Sequence, residues 1–206
     1  MKGLILKDIY QTMKYLRAFL VIIVIFLVAS VFIGASNSFY LYYPMLLTSM
    51  TPLSLMVYDD QNKWTSWADT LPYTRAQVVS AKYVLTLILV AGMLVLSTIA
   101  MLLNADFRAA GILRYLLPLT AMGLLCPSLS FPFMFKLGAE KGRLFYFIIL
   151  GVFCALAVFI FSFYTSSAGN VFSNISLLLN LTPVFGLLLF LLSWRLSIYL
   201  YKKRDL

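Results

Sequence analysis

No histidine occurs among the 206 residues, and Glu140 is the only glutamate. The first absence removes imidazole acid–base catalysis and the commonest metal ligand. The second leaves few carboxylates: seven acidic residues in all, none inside a long apolar run. Without a buried acid there is no obvious proton relay or cation site. A membrane-embedded enzyme would want clustered carboxylates, a Ser/Lys or Ser/His pair, or metal ligands, and none is visible. Cysteine is scarce too. Cys126 and Cys154 both fall in apolar runs, where they read as small packing residues and give no disulfide framework or metal site. No GxxxxGK[ST] occurs. Gly138-Ala139-Glu140-Lys141-Gly142-Arg143 has the wrong spacing and order for a phosphate cradle. The sequence therefore predicts no ATP-hydrolysing site and no cofactor in this chain.

Charge itself is what the chain lacks most. Asp, Glu, Lys and Arg make up 11% of it, against about a quarter in a soluble domain. Hydrophobic residues make up 63%, aromatics 16%, and the mean hydropathy is +0.96. Lipid has to replace the missing polar surface. A bilayer core of roughly 30 Å takes about 20 apolar residues in a helix. Uncharged runs lie at 18–35, 39–57, 84–103, 115–135, 144–165 and 175–194. They are continuous rather than alternating, and an open strand edge cannot be satisfied in lipid. The expected fold is all-α: one polytopic membrane domain over 1–206, with six transmembrane helices and both termini on one side.

Lys and Arg assign that side. Lys2, Lys7, Lys14 and Arg17 precede the first span, and Lys63, Arg75 and Lys82 separate the second from the third. Lys136, Lys141 and Arg143 separate the fourth from the fifth, while Arg195, Lys202, Lys203 and Arg204 close the chain. Only Arg108 and Arg114 fall opposite; Arg114 can snorkel to water from the outer end of span four. The positive-inside rule then makes both termini cytoplasmic. The formal charge of +9 reads as topology plus attraction to anionic headgroups, not as a nucleic-acid signal. A cleaved signal peptide is not expected, because the residues before the first span are patterned and no small-x-small site follows.

In that opening stretch, 1–17, Leu4, Ile5, Ile9, Met13 and Leu16 recur at helical spacing between polar residues. It reads as an amphipathic helix in the cytoplasmic interface, or as an extension of the first span. The outer connections at Ser36-Asn37-Ser38 and 104–108 are short, and 166–174 is a longer stretch rich in Ser, Gly and Asn. Prolines punctuate spans two, four and six: Pro44 and Pro52; Pro118, Pro127 and Pro132; Pro183. Three in one span predict a kinked or broken helix four, suited to a moving part, although proline is also simply commoner in membrane helices.

The longest polar stretch, 58–75, carries Asp59, Asp60, Lys63, Trp64, Trp67, Asp69, Thr70, Leu71, Pro72 and Arg75. A short helix is expected from Asp60 to Ala68, with Trp64 and Trp67 on one face. Leu71-Pro72 breaks it, and Thr74 caps a new helix starting near Arg75. The tryptophan pair is either a docking site for another protein or a pair of headgroup anchors.

Three features together resemble a known family. The opening Leu4-Ile5-Leu6-Lys7-Asp8-Ile9 with Lys14 is similar to an "LLxKDLxxxxK" start. Asp59-Asp60, Lys63-Trp64, Trp67, Thr70-Leu71-Pro72-Tyr73-Thr74-Arg75, Val78-Val79 and Ala81-Lys82-Tyr83 are similar to an acidic pair, Trp, then "TLPVSRxxIVxxKY". The six-span layout with a basic tail is the third. The chain thus resembles the membrane (permease) subunit of type-2 ABC transporters in its compact six-helix bacterial form. Asp60 stands where the family often has Glu, and Tyr73-Thr74 where it often has Val-Ser. The resemblance implies that 1–17 is an interfacial elbow helix and 58–78 a cytoplasmic coupling segment. Asp59, Asp60, Lys63, Trp64, Trp67, Asp69, Thr70, Leu71, Pro72 and Arg75 would contact a separate cytosolic ATP-binding subunit, present in two copies, which holds ATP and Mg. It implies a second permease chain, identical or not, in a bacterial plasma membrane. The implied function is export of amphipathic or antimicrobial peptides or similar hydrophobic cargo, as by phenol-soluble modulin exporters. The alternative is a substrate-binding membrane subunit of a vitamin importer, against which the long charged 58–75 segment argues. A membrane enzyme is the third reading, and its turnover would have to survive removal of every ATPase partner.

Overall fold

The computed structural model describes residues 2–15, 17–33, 39–64, 72–104, 109–138, 142, 144, 147–148, 151–152 and 175–203. The regular elements among these are helices and no strand: α1 (Lys2–Tyr15), α2 (Arg17–Ile33), α3 (Phe39–Gln61), α4 (Arg75–Leu103), α5 (Ala109–Leu137) and α6 (Ile175–Lys202). The all-α expectation holds for them. Among the described residues three helices are long and apolar enough to cross a membrane: Arg75–Leu103, Tyr115–Leu137 and Leu181–Lys202, with mean hydropathies of 2.5, 1.5 and 1.7. A fourth is reached if α1 and α2 count as one bent span.

The expected spans one and two are helical but stop short of that standard. α2 has 17 residues, about 25 Å at 1.5 Å per residue. α3 has 23, but Thr48, Ser49 and Thr51 dilute its hydropathy and it ends on acidic residues. Those hydroxyls are buried and donate to carbonyls of their own helix: Thr48 to Pro44, Ser49 to Leu46, Thr51 to Leu47. Most of expected span five (144–165) and the segment 166–174 lie outside the described residues.

α1 leaves the direction of α2 by 76°. Its buried stripe is Leu4, Asp8 and Thr12, one residue per turn. Leu6, Ile9, Tyr10 and Met13 face outward. The face turned into the protein is thus partly polar, and much of the apolar set points away from it.

Span four was expected to kink or break. α5 does not break: it runs as one 29-residue helix through Pro118, Pro127 and Pro132. Each proline removes an N–H and frees the carbonyl four residues earlier; for Pro132 that is Ser128, and Ser193 of α6 donates its hydroxyl to it. A neighbouring helix thus takes over the bond that the proline deletes. α5 and α6 form the most extensive helix pair. The core runs between them, α3 and α4, through Met45, Tyr83, Met101, Leu119, Phe131 and Phe190, all essentially inaccessible.

Candidate functional site

The segment 58–75 starts differently from expectation. α3 continues through Asp59 and Asp60 to Gln61, so the acidic pair ends that helix and does not open a new one. The break comes at Asn62–Lys63, where Asn62 donates its side-chain amide to the Tyr58 carbonyl at 2.8 Å and Lys63 has φ 54°. Trp64 follows, half-buried. Trp67, Asp69, Thr70 and Leu71 lie outside the described residues. Pro72 is exposed and Arg75 opens α4. Thr74 caps α4 as expected. Its side chain accepts from the Gln77 N–H at 3.3 Å, and the Gln77 side chain accepts from the Thr74 N–H at 3.1 Å, which is a complete capping box. Arg75 reaches the Lys202 carbonyl at 3.5 Å, placing a cation at the negative end of α6.

Beneath this segment three helices meet in a cluster of four charges. Lys82 of α4, 6% exposed, lies 2.9 Å from Asp8 of α1 and 2.7 Å from Asp59 of α3. Lys7 of α1 lies 2.7 Å from the other oxygen of Asp59 and 3.3 Å from Asp8. Two ammonium groups meet two carboxylates, so the cluster is formally neutral and each buried charge has opposite-sign partners, the condition for a charge to stay buried. Lys7 also sits over the Trp64 ring, 4.1 Å from its centroid, a cation–π contact. Tyr15 of α1 stacks on Tyr58 of α3 at 5.4 Å. Burial raises the Asp59 pKa, but Lys82 and Lys7 outweigh it, and the carboxyl ends below its ordinary value.

Next to Lys82 in the chain, Tyr83 faces the other way. Its ring stacks on Trp194 at 5.4 Å and 7° and touches Phe131 and Phe190 at 4.7 and 5.0 Å. Its hydroxyl lies 2.7 Å from both Ser193 and Ser197. Trp194 donates its indole N–H to Ser80 at 3.0 Å.

Of the residues expected at a partner contact, the structure brings Asp59, Asp60 and Trp64 together around one pocket, with Lys7, Asp8 and Lys82. Asp59 turns inward, both oxygens engaged by lysines. Asp8 and Lys82 were legible only as motif letters, because a pairing across 74 residues leaves no local trace.

A family model described as ABC-2 family transporter protein matches residues 3–202. The chain belongs to that family. No curated protein and no solved structure matches it significantly. ABC-2 family membership implies a membrane setting and an ATP-binding partner. For an ABC-2 transporter protein the charge cluster is informative in its position: it fastens α1, α3 and α4 to one another where the polar segment leaves the helices.

Proposed function

We propose that this chain is the transmembrane subunit of an ATP-driven ABC exporter in a bacterial plasma membrane, with six membrane helices, cytoplasmic termini and α1 lying in the interface. It pairs with a second permease, identical or not, and with two copies of a cytosolic ATP-binding subunit that carries ATP, Mg and all hydrolysis. Its cargo is an amphipathic or antimicrobial peptide or a similar hydrophobic molecule. The 76° turn between α1 and α2 and the exposed Leu6, Ile9, Tyr10 and Met13 support an interfacial α1. The basic residues crowded on one set of connections support the orientation. The aromatic group Phe26, Phe39, Tyr40 and Tyr43 at the α2–α3 hairpin suits amphipathic cargo.

One observation carries the coupling role of the 58–78 segment: the end of α3 is pinned by buried charges just before Trp64. A segment that must transmit a push needs a stiff base, and interacting charge pairs with low exposure provide one. In this reading Asp59 holds the base while Asp60, Lys63, Trp64, Trp67, Asp69, Thr70, Leu71, Pro72 and Arg75 present the contact surface. The test is co-purification of the ATP-binding subunit with the wild-type chain, Trp64→Ala and Trp67→Ala in native membranes. Both substitutions should weaken capture while leaving membrane insertion intact. Undiminished capture by both would remove the rings from the contact, and tight vitamin binding by the chain alone would favour the importer subunit.

A further inference from the structure

Donor counting fixes the direction of the hydroxyl chain around Tyr83. The Ser193 hydroxyl contacts the Ser128 carbonyl, which can only accept, so the Ser193 proton is spent there. The 2.7 Å contact between Tyr83 and Ser193 must then be Tyr83 donating. Tyr83 has no second proton, so at 2.7 Å Ser197 donates to Tyr83. The order is Ser197 to Tyr83 to Ser193 to the Ser128 carbonyl, and hydrogen bonds aligned in this way strengthen one another. The chain ends at the carbonyl that Pro132 leaves open, the point where α5 has lost its own bond. All three serines and the tyrosine are buried.

At the other end of the same short stretch, Lys82 binds Asp8 and Asp59 at 2.9 and 2.7 Å. Neighbouring residues on a helix point about 100° apart, so two consecutive side chains of α4 reach different neighbours: Lys82 meets α1 and α3, and Tyr83 meets α5 and α6.

We propose that Lys82 and Tyr83 are positioning residues that carry movement of the 59–64 segment across α4 to the proline notch of α5, through the hydroxyl chain that ends on Ser128. The proposal rests on the permease reading and adds the route that the reading does not specify. Lys82 takes displacement from the ends of α1 and α3. Tyr83, joined to it by one peptide unit and stacked on Trp194, passes it to α6 and to the proline-notched turn of α5. At that turn the helix is easiest to bend, because its remaining support comes from another helix.

The experiment is amide hydrogen exchange on the full chain in complex with its ATP-binding partner in a lipid nanodisc, with and without Mg-ATP. In the wild type, ATP should change exchange both at 59–64 and at 128–136. Tyr83→Phe and Ser193→Ala each delete one hydroxyl and keep the packing, and each should retain the change at 59–64 while losing it at 128–136. Lys82→Met should lose it at 128–136 as well. Ser193→Ala guards against a folding defect in Tyr83→Phe, and a purely structural role would not separate the two segments. Both hydroxyl variants passing the full response to 128–136 would overturn the route. A wild type responding at 59–64 alone would overturn it too. A wild type that responds at neither segment would overturn the permease reading itself.

Discussion

At its N-terminal end α4 is held by charge: Lys82 closes on Asp8 and Asp59, with Lys7 beside them. At its C-terminal end the contacts among the described residues are neutral: Asn104 donates to the carbonyls of Ser30 and Val31 at 3.2 Å each, and Met101 is buried. Between the two, Val95, Leu96, Ile99, Leu102 and Leu103 show bare aliphatic surface. The contrast separates two ways of fixing a membrane helix. Buried charges are directional and all-or-none, since losing one leaves another uncompensated. Losing a neutral amide leaves unpaired carbonyls but no uncompensated charge, and the exposed aliphatic face makes no polar bond. One end of α4 is tied to its neighbours by buried charges, and the other by neutral hydrogen bonds and apolar packing.

The harshest way to break this contrast is Lys82→Met. It leaves Asp8 and Asp59 with only Lys7, and the loss should be about 3–5 kcal/mol, read as a lowered melting temperature in detergent. Replacing all four charged residues by apolar ones of similar size should recover a large part of that, because the desolvation cost disappears with the charges. Acid attacks the same end. Asp59 has its pKa lowered on folding, so its contribution is fully present above the unfolded carboxyl value of about 3.9. It is lost as pH falls from there through the folded value. Melting followed from about pH 5 down to about pH 2 should show that drop, and Asp59→Asn should flatten this part of the profile. At the far end, Asn104→Ala should cost only about 1 kcal/mol. Leu102→Val on the aliphatic face should stay within about 0.5 kcal/mol. A cost for Asn104→Ala equal to that of Lys82→Met would erase the distinction between the two ends.

Much of the scaffold could be read from uncharged runs, because lipid permits few solutions for them. Helices were expected at five of the stretches where α2 to α6 stand, and the Thr74 cap followed from a hydroxyl placed before Arg75. Composition was less informative about length. The run at 39–57 looked like an ordinary span, yet its helix carries on to Gln61 because Asp59 finds cations waiting. Lys7, Asp8 and Lys82 were recognisable as motif positions but not as one cluster, since their partners lie 52 and 74 residues away. The Tyr83 chain was hidden for another reason. Ser193 and Ser197 look like casual polar breaks in an apolar helix, and their meaning depends on a carbonyl exposed by a proline in a different one.

The cluster also orders events in time. Lys7 and Asp8 leave the ribosome with the first turns of the chain, while Asp59 and Lys82 follow only after α3 and the start of α4 have been made. Until then Asp8 and Lys7 lack the partners on α4 and α3 that hold them in the folded protein. Lys82 is therefore the last of the four charges to be made, and the cluster can close only once the start of α4 exists.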